Sequence, residues 1–254
     1  MILVCSGFNS SGYAEYGKNF LSTFDKHWPV EVGLRVYAEA RVDAPRRSWR
    51  NLWHCAGVAE FIEKYGATAK YCGREVMPGW GVKDRERKYC YRYDAVKFCR
   101  QLFIPEQVII EGLASGTLRQ GDILVWLDAD VVTFKDVPLD FIPGLLKDYD
   151  ACYLGRQKLH SEIGFWAVRI NPQTRAFVSS LADMYRKGEV FKLQEWHSAF
   201  VWDHCRVKHS DMVRFLNLTP GGYGHVWWRS PLKEYTDHLK GDSRKQRGKS
   251  LERV

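Results

Sequence analysis

The chain has 254 residues, 45% hydrophobic and 27% charged, with a formal net charge of +8. That is ample length for a buried core, and the ordinary globular composition excludes disordered and collagen-like classes. Ten tryptophans within a 14% aromatic content suit cores, and also stacking on sugars and bases.

Met1-Ile2-Leu3-Val4-Cys5 lacks a basic leader, so residues 2–7 read as a buried first strand and not as a signal peptide. Tyr13, Tyr16, Phe20, Leu21 and Phe24 then recur at helical spacing. Residues 32–39 alternate like a second strand, and residues 52–65 predict a helix stopped at Gly66. Residues 94–113 are helical in pattern, with a break or kink expected at Pro105. After the Gly121-Asp122 turn, Ile123–Leu127 is apolar on both faces, as in the centre of a parallel sheet.

Residues 139–146 predict a short helix, and Ala151–Leu154 and residues 165–170 predict strands. Asn171-Pro172 supplies an N-cap and a first-turn proline for a helix ending at Gly188, and residues 194–207 predict another helix. This alternation implies an α/β fold with a mostly parallel central sheet flanked by helices. Without an internal repeat or low-complexity linker, residues 1–254 are expected to form one domain.

No apolar run approaches 18 residues, so no transmembrane segment is expected. Seven scattered cysteines without a C-x-x-C pair support neither a disulfide framework nor a zinc ribbon, and point to a reducing, cytoplasmic setting. The charge is uneven. Residues 240–254 carry six basic and two acidic side chains; residues 74–100 carry eight and four, interleaved with Trp80, Tyr89, Tyr91, Tyr93 and Phe98. Such stretches are solvated faces or surfaces for phosphate groups.

Directly after the apolar strand stands Asp128-Ala129-Asp130. Two carboxylates leaving a strand end together can reach one divalent cation, Mn²⁺ or Mg²⁺, of the kind held with substrate phosphates. In open parallel sheets, ligands bind outside the carboxyl ends of the strands. With 16 Asp in the chain, a D-x-D arises by chance about once. Asp148-Tyr149-Asp150 is such a copy, placed before a strand instead of after one.

The stretch from Asp122 through Ile123–Leu127 to Asp128-Ala129-Asp130 resembles the strand and DxD motif of GT-A fold glycosyltransferases. Upstream, Arg92-Tyr93-Asp94-Ala95-Val96-Lys97-Phe98 resembles the helix beside the nucleotide, which implies donor contacts from Arg92, Asp94 and Lys97. Glu162-Ile163-Gly164-Phe165 resembles the segment presenting a sugar-binding acid, and Glu195-Trp196-His197 an acidic motif on the acceptor side. His238-Leu239-Lys240-Gly241 looks like the tail whose His completes the metal shell and whose Lys meets the diphosphate. The blocks follow the family order along nearly the whole chain. Two departures stand out: Ser198 where an acidic residue follows in the family, and a tail without the proline and tryptophan of related bacterial transferases.

The resemblance implies a metal held by Asp128, Asp130 and His238, and donor contacts from Lys240 and Gly241 besides those named above. The Ser10-Ser11-Gly12-Tyr13 turn is expected to close over the nucleotide, with Tyr13 and Tyr16 beside it. Glu162, Glu195 and His197 are the catalytic candidates. Residues 1–130 are expected to be mainly nucleotide-binding, and residues 131–254 mainly acceptor-facing with a basic tail. No dinucleotide fingerprint is present at Gly7, Gly12 and Gly17, and Gly248-Lys249-Ser250 lacks the first Gly and following helix of a phosphate loop. His197, His204, Cys205 and His209 cluster in sequence but match no familiar zinc spacing.

The expectation is therefore a metal-dependent, retaining hexosyltransferase using a UDP-sugar, with glucose as the first guess. Compactness and charge resemble bacteriophage enzymes that glucosylate DNA, so 5-hydroxymethylcytosine in double-stranded DNA is the leading acceptor, placing the protein in the host cytoplasm. Aromatics near residues 89–93 or Trp227-Trp228 would wedge or stack on a flipped base. A cell-surface glycan or protein is the alternative acceptor, and a non-catalytic nucleic-acid binder the rival class. Oligomeric state is not legible.

Overall fold

The computed structural model describes residues 1–42 and 48–253. Strand β1 (Ile2–Phe8) is followed by a wide helical turn over Tyr13–Gly17 and by α1 (Lys18–His27). Next come β2 (Val32–Ala38), β3 (Ser48–Asn51), α2 (Ala56–Tyr65) and α3 (Arg100–Ala114). Then follow β4 (Ile123–Leu127), β5 (Val131–Thr133), β6 (Ala151–Leu154) and β7 (Glu162–Arg169). The chain ends with α4 (Pro172–Arg186), α5 (Ser198–Lys208), β8 (Phe215–Asn217), β9 (Thr236–His238) and α6 (Asp242–Arg247).

The central sheet has the order β3-β2-β1-β4-β7-β6-β8, and only β7 runs against its neighbours. The double-sided apolarity of β1 and β4 now has its cause. Leu3, Cys5, Leu124 and Trp126 face a core covered by α2, α3 and α4, through Val58, Phe61, Leu102, Phe103 and Phe177. Ile2, Val4, Ile123, Val125 and Leu127 face the opposite core, where α1 contributes Phe20, Leu21 and Phe24. Among the described residues no helix is long and apolar enough to cross a membrane.

Two local expectations need correction. Pro105 does not break α3, which runs through it; the interruption falls at Cys99, between a short turn Ala95–Phe98 and α3. An interior proline costs about 3 kcal/mol. α3 buries Leu102, Phe103, Ile104, Val108 and Ile109, each contributing about 1.5–3 kcal/mol, so packing wins. The predicted strand at 165–170 starts three residues earlier, at Glu162, which places that carboxylate on the sheet.

At the start of α4, the Asn171 side chain accepts from the Thr174 N–H (2.8 Å) and Thr174 Oγ1 accepts from the Asn171 N–H (3.0 Å). Gly188 beyond the helix has φ +71°, the left-handed region that favours glycine. Asn171→Ala should cost about 1 kcal/mol, read as a lowered urea midpoint with an unchanged slope.

Candidate active site

The site begins where β4 ends. The Asp128 N–H donates to the Gly164 carbonyl of β7 at 2.8 Å. Asp128 Oδ1 accepts from Trp126 Nε1 and Gln101 Nε2, both at 2.8 Å, so strand and α3 together fix its rotamer. Past the 128–130 turn, β5 pairs antiparallel with β9 in the register Val131↔His238. The Leu239 N–H donates to the Asp130 carbonyl at 2.9 Å. This small second sheet carries His238 across more than a hundred residues to the carboxylates. His238 Nε2 lies 3.0 Å from Asp130 Oδ1 and 3.8 Å from Asp128 Oδ2.

Gly164 makes room for this meeting. A Cβ there would stand 2.7 Å from His238 Cε1 and 3.2 Å from Asp128 Oδ2. Gly164→Ala should therefore displace His238, destabilise the fold by about 1–3 kcal/mol and weaken divalent-cation binding. Thermal unfolding with and without Mn²⁺ reads both effects; a variant that melts and responds to Mn²⁺ like the parent would refute them.

Burial, then the neighbouring charge of Asp130, pushes the Asp128 carboxyl up to about 6. Burial acts on Asp130 in the same direction, but His238, Lys245 and Lys240 outweigh it and hold that carboxyl below the usual range. Burial disfavours a charged His238, yet Asp130, Glu162 and Asp128 hold its pKa above the ordinary value. Two crowded carboxylates and an imidazole, with donor atoms within 4.8 Å of one another, form an oxygen-rich set suited to Mn²⁺ or Mg²⁺. His238 Nδ1 is buried without a hydrogen-bond partner, 4.0 Å from Glu162 Oε1. The donor set fits a divalent cation.

Glu162, buried on β7, accepts from Lys240 Nζ (2.8 Å), from Arg156, and from the Gly164 N–H (3.2 Å). Burial would raise its pKa, but Lys240, His238 and Arg156 hold it far below the usual carboxylate range. Gly241, at φ +86°, then turns the chain into α6. There Lys245 lies 3.7 Å from Asp130 Oδ2 and 4.3 Å from the Tyr16 ring centre. Burial and the charges of Asp130 and Asp128 push the Tyr16 hydroxyl up to about 12, which keeps it a proton donor. Tyr16 therefore belongs to the group, whereas Tyr13 stacks on Phe8 at 5.7 Å.

The upstream residues are placed differently. Asp94 caps the turn Ala95–Phe98 through the Lys97 N–H (2.9 Å) and accepts from Tyr89 Oη (3.0 Å). Lys97 Nζ lies over the Tyr89 and Phe98 rings, 6.0 and 5.6 Å from their centres. Arg92 donates to Asp84 and to the Gly79 carbonyl, both at 3.0 Å, and its Nη1 stands 4.0 Å from Glu195 Oε1. Of the three, Arg92 alone reaches Glu195, and these contacts run to their own neighbourhood and not to the Asp128 group.

Glu195 Oε2 accepts from His197 Nε2 at 2.8 Å, and His160 Nε2 lies 3.5 Å from the same oxygen. Burial opposes ionisation of Glu195, but His197, His160 and Arg92 prevail and lower its pKa; burial also lowers that of His197, against the pull of Glu195. Ser198, the departure from the family pattern, donates to Gln101 Oε1, while Gln101 Nε2 holds Asp128. One glutamine thus joins the start of α5 to the DxD carboxylates. Cys205 is instead buried in the core and the His209 ring packs on Phe177 at 5.7 Å, so the local His/Cys cluster disperses.

The aromatic wedges are largely committed. Trp227 is fully buried and donates to Thr236; Trp228 donates to Asp237 and stacks with Phe134. The Tyr93 hydroxyl donates to the Pro78 carbonyl, whereas Tyr91 is half exposed. Gln101, Arg156, His160 and Lys245 contact the candidate residues and were missed by sequence reasoning. Their partners lie on other elements, and no local pattern marks them.

A crystal structure of a glycosyltransferase involved in the glycosylation of the major capsid of PBCV-1 matches 97% of this chain and 98% of its own, at TM-score 0.51 and 9% identity. The fold is GT-A-like. No protein-family model matches the chain, and no curated protein matches it. Within this GT-A-like fold, the Asp128 group stands at the carboxyl end of a central parallel strand, where ligands of open α/β sheets bind.

Proposed function

We propose that the chain is a metal-dependent glycosyltransferase that moves a hexose from a UDP-sugar to a hydroxyl. The observation that carries this reading is the convergence of Asp128, Asp130 and His238 at the end of β4, with Glu162 and two lysines around them. When bound there, Mn²⁺ or Mg²⁺ supplies positive charge opposite the departing diphosphate. Lys240 and Lys245 add fixed positive charge beside it. The Tyr16 hydroxyl offers a donor to a phosphate oxygen, and Gly241 leaves the backbone uncrowded where the tail turns.

Glu162, held ionised, is the carboxylate that stabilises positive charge developing on the sugar ring. Glu195 and His197 orient the acceptor hydroxyl. The acceptor oxygen bonds to the anomeric carbon as the bond from that carbon to the β-phosphate oxygen breaks. In the retaining course that the resemblance to DxD and His-Lys-Gly transferases implies, the acceptor proton passes to the departing phosphate. We assign the nucleotide mainly to residues 1–130, completed by the tail, and the acceptor mainly to residues 131–254.

For the acceptor, a glycan or protein hydroxyl is favoured over DNA, because Trp227, Trp228 and Tyr93 are bound into the fold and because the structural neighbour acts in capsid glycosylation. Hydroxymethylcytosine DNA is the second acceptor, supported by exposed Lys83, Arg85, Arg87 and Lys88 and by half-exposed Tyr91 in the same stretch. The test is release of nucleoside diphosphate from a panel of nucleotide sugars with Mn²⁺, adding glycan, protein or modified DNA in turn. Release stimulated by one acceptor class supports transfer and names the class. Equal release without acceptor indicates a hydrolase. DNA binding without release from any donor favours the non-catalytic reading.

A further inference from the structure

His160 and His197 lie on separate stretches of chain, and the fold brings both imidazoles to one carboxylate oxygen. Glu195 Oε2 stands 2.8 Å from His197 Nε2 and 3.5 Å from His160 Nε2, and donor atoms of the three residues lie within 4.8 Å of one another. We propose that His160, Glu195 and His197 form a second metal site, distinct from the Asp128 group, for a zinc-like first-row divalent cation. Its assigned role, holding the acceptor hydroxyl, rests on the transferase reading above.

Three observations carry the proposal. A tetrahedral zinc ion, with bonds near 2.1 Å, holds its ligand atoms about 3.4 Å apart. The Glu195–His160 pair already stands at 3.5 Å, the Glu195–His197 pair must open from 2.8 Å, and the donor atoms of the two imidazoles stand within 4.8 Å of each other. The donor types also differ between the two sites. Two imidazoles and one carboxylate suit zinc or cobalt, whereas the carboxylate-rich Asp128 group suits harder cations.

The third observation is the support around the ligands. Arg92 stands 4.0 Å from Glu195 Oε1, the oxygen the ion does not need, while its Nη2 is held by Asp84 and the Gly79 carbonyl. It places a positive charge beside the outer carboxylate oxygen without occupying the site, the position an outer partner of a metal ligand takes. The Ser161 N–H (2.8 Å) and Oγ (2.7 Å) both donate to Asp203 on α5, the helix that His197 opens. One clamp therefore sets the two histidines relative to each other. The His160 ring packs on Phe200 at 4.9 Å, and the His197 ring on Tyr91 and Phe98 at 5.4 and 5.9 Å.

Three protein ligands leave one coordination position open, which a hydroxyl oxygen of the acceptor would take. The acceptor would then be seated without using the nitrogen and oxygen atoms that hold the ion.

The test uses the untagged full-length chain carrying Asp128→Asn and Asp130→Asn, which removes the carboxylates of the donor-side site. Co²⁺ is titrated while its visible absorption is followed, and bound Zn²⁺ is counted after dialysis. One ion per chain is expected, with affinity falling about tenfold or more when Glu195→Gln or His160→Ala is added. The His160 side chain is about a third exposed, so its removal should leave the melting profile intact and a lost ion is read as a lost ligand. No ion bound to the Asp128→Asn/Asp130→Asn chain, or binding that survives both added substitutions, would overturn the proposal. The titration needs no donor, so its outcome is separate from that of the nucleotide-sugar assay.

Discussion

Asp130→Asn should abolish sugar transfer while leaving the fold standing. A lost cation site removes several kcal/mol of charge stabilisation from the departing diphosphate, roughly 10²–10⁴-fold in rate. Stability should change little, because two effects oppose each other. The substitution removes the ion pair with His238, 3.0 Å away, but also relieves the charge repulsion that adds to burial in raising the Asp128 carboxyl. The checks are turnover of the nucleotide sugar and the shift in melting temperature on adding Mn²⁺. Both should vanish in the variant while the melt without metal stays close to the parent's. A variant that keeps Mn²⁺-dependent turnover would remove Asp130 from the site.

The second large effect falls on Glu162. Glu162→Ala leaves Arg156 without its carboxylate in a largely buried setting, and the Gly164 N–H without an acceptor. Breaking a buried pair by removing one partner costs about 3–5 kcal/mol, and the lower end applies because Lys240 is half exposed and can turn to water. Glu162→Gln keeps the shape and an acceptor oxygen, so it should fold, bind donor and turn over slowly. Urea unfolding separates the two variants from the parent, and kcat separates Gln from wild type. Because the carboxyl is held far below its ordinary 4.5, its share of stability is present above that value and lost only as acidification reaches the depressed pKa. Equal urea midpoints for Glu162→Ala and the parent would show that the pairs carry no net stability.

What could be read in advance follows from the range of the interactions involved. Asp128 and Asp130 were legible because five apolar residues precede them, and a strand buried on both faces ends in only one kind of place. The caps at Asn171 and Gly188 were legible for the same reason: their partners lie within a few residues. His238 has no such signal. It sits on a three-residue strand paired with another three-residue strand more than a hundred positions away, and only its resemblance to a family tail singled it out.

Residues whose role is set across elements stayed hidden. Gln101 links Asp128 to Ser198, His160 reaches Glu195, and Lys245 crosses from α6 to Asp130 and Tyr16. A charge count over the basic stretches does not see partners either. Arg92, Arg100, Arg244 and Lys245 all lie beside acidic side chains of this same chain. The proline in α3 misled because local hydrogen-bond loss is visible in sequence, whereas the packing that offsets it is not.

The most direct test of the donor site is an anomalous diffraction map from crystals grown with MnCl₂ and UDP. A manganese peak held by the carboxylates of Asp128 and Asp130, with the diphosphate beside it and the nucleotide near Tyr16, is the predicted result. Manganese bound elsewhere, or UDP seated away from the end of β4, would contradict the assignment of this site to a nucleotide-sugar donor.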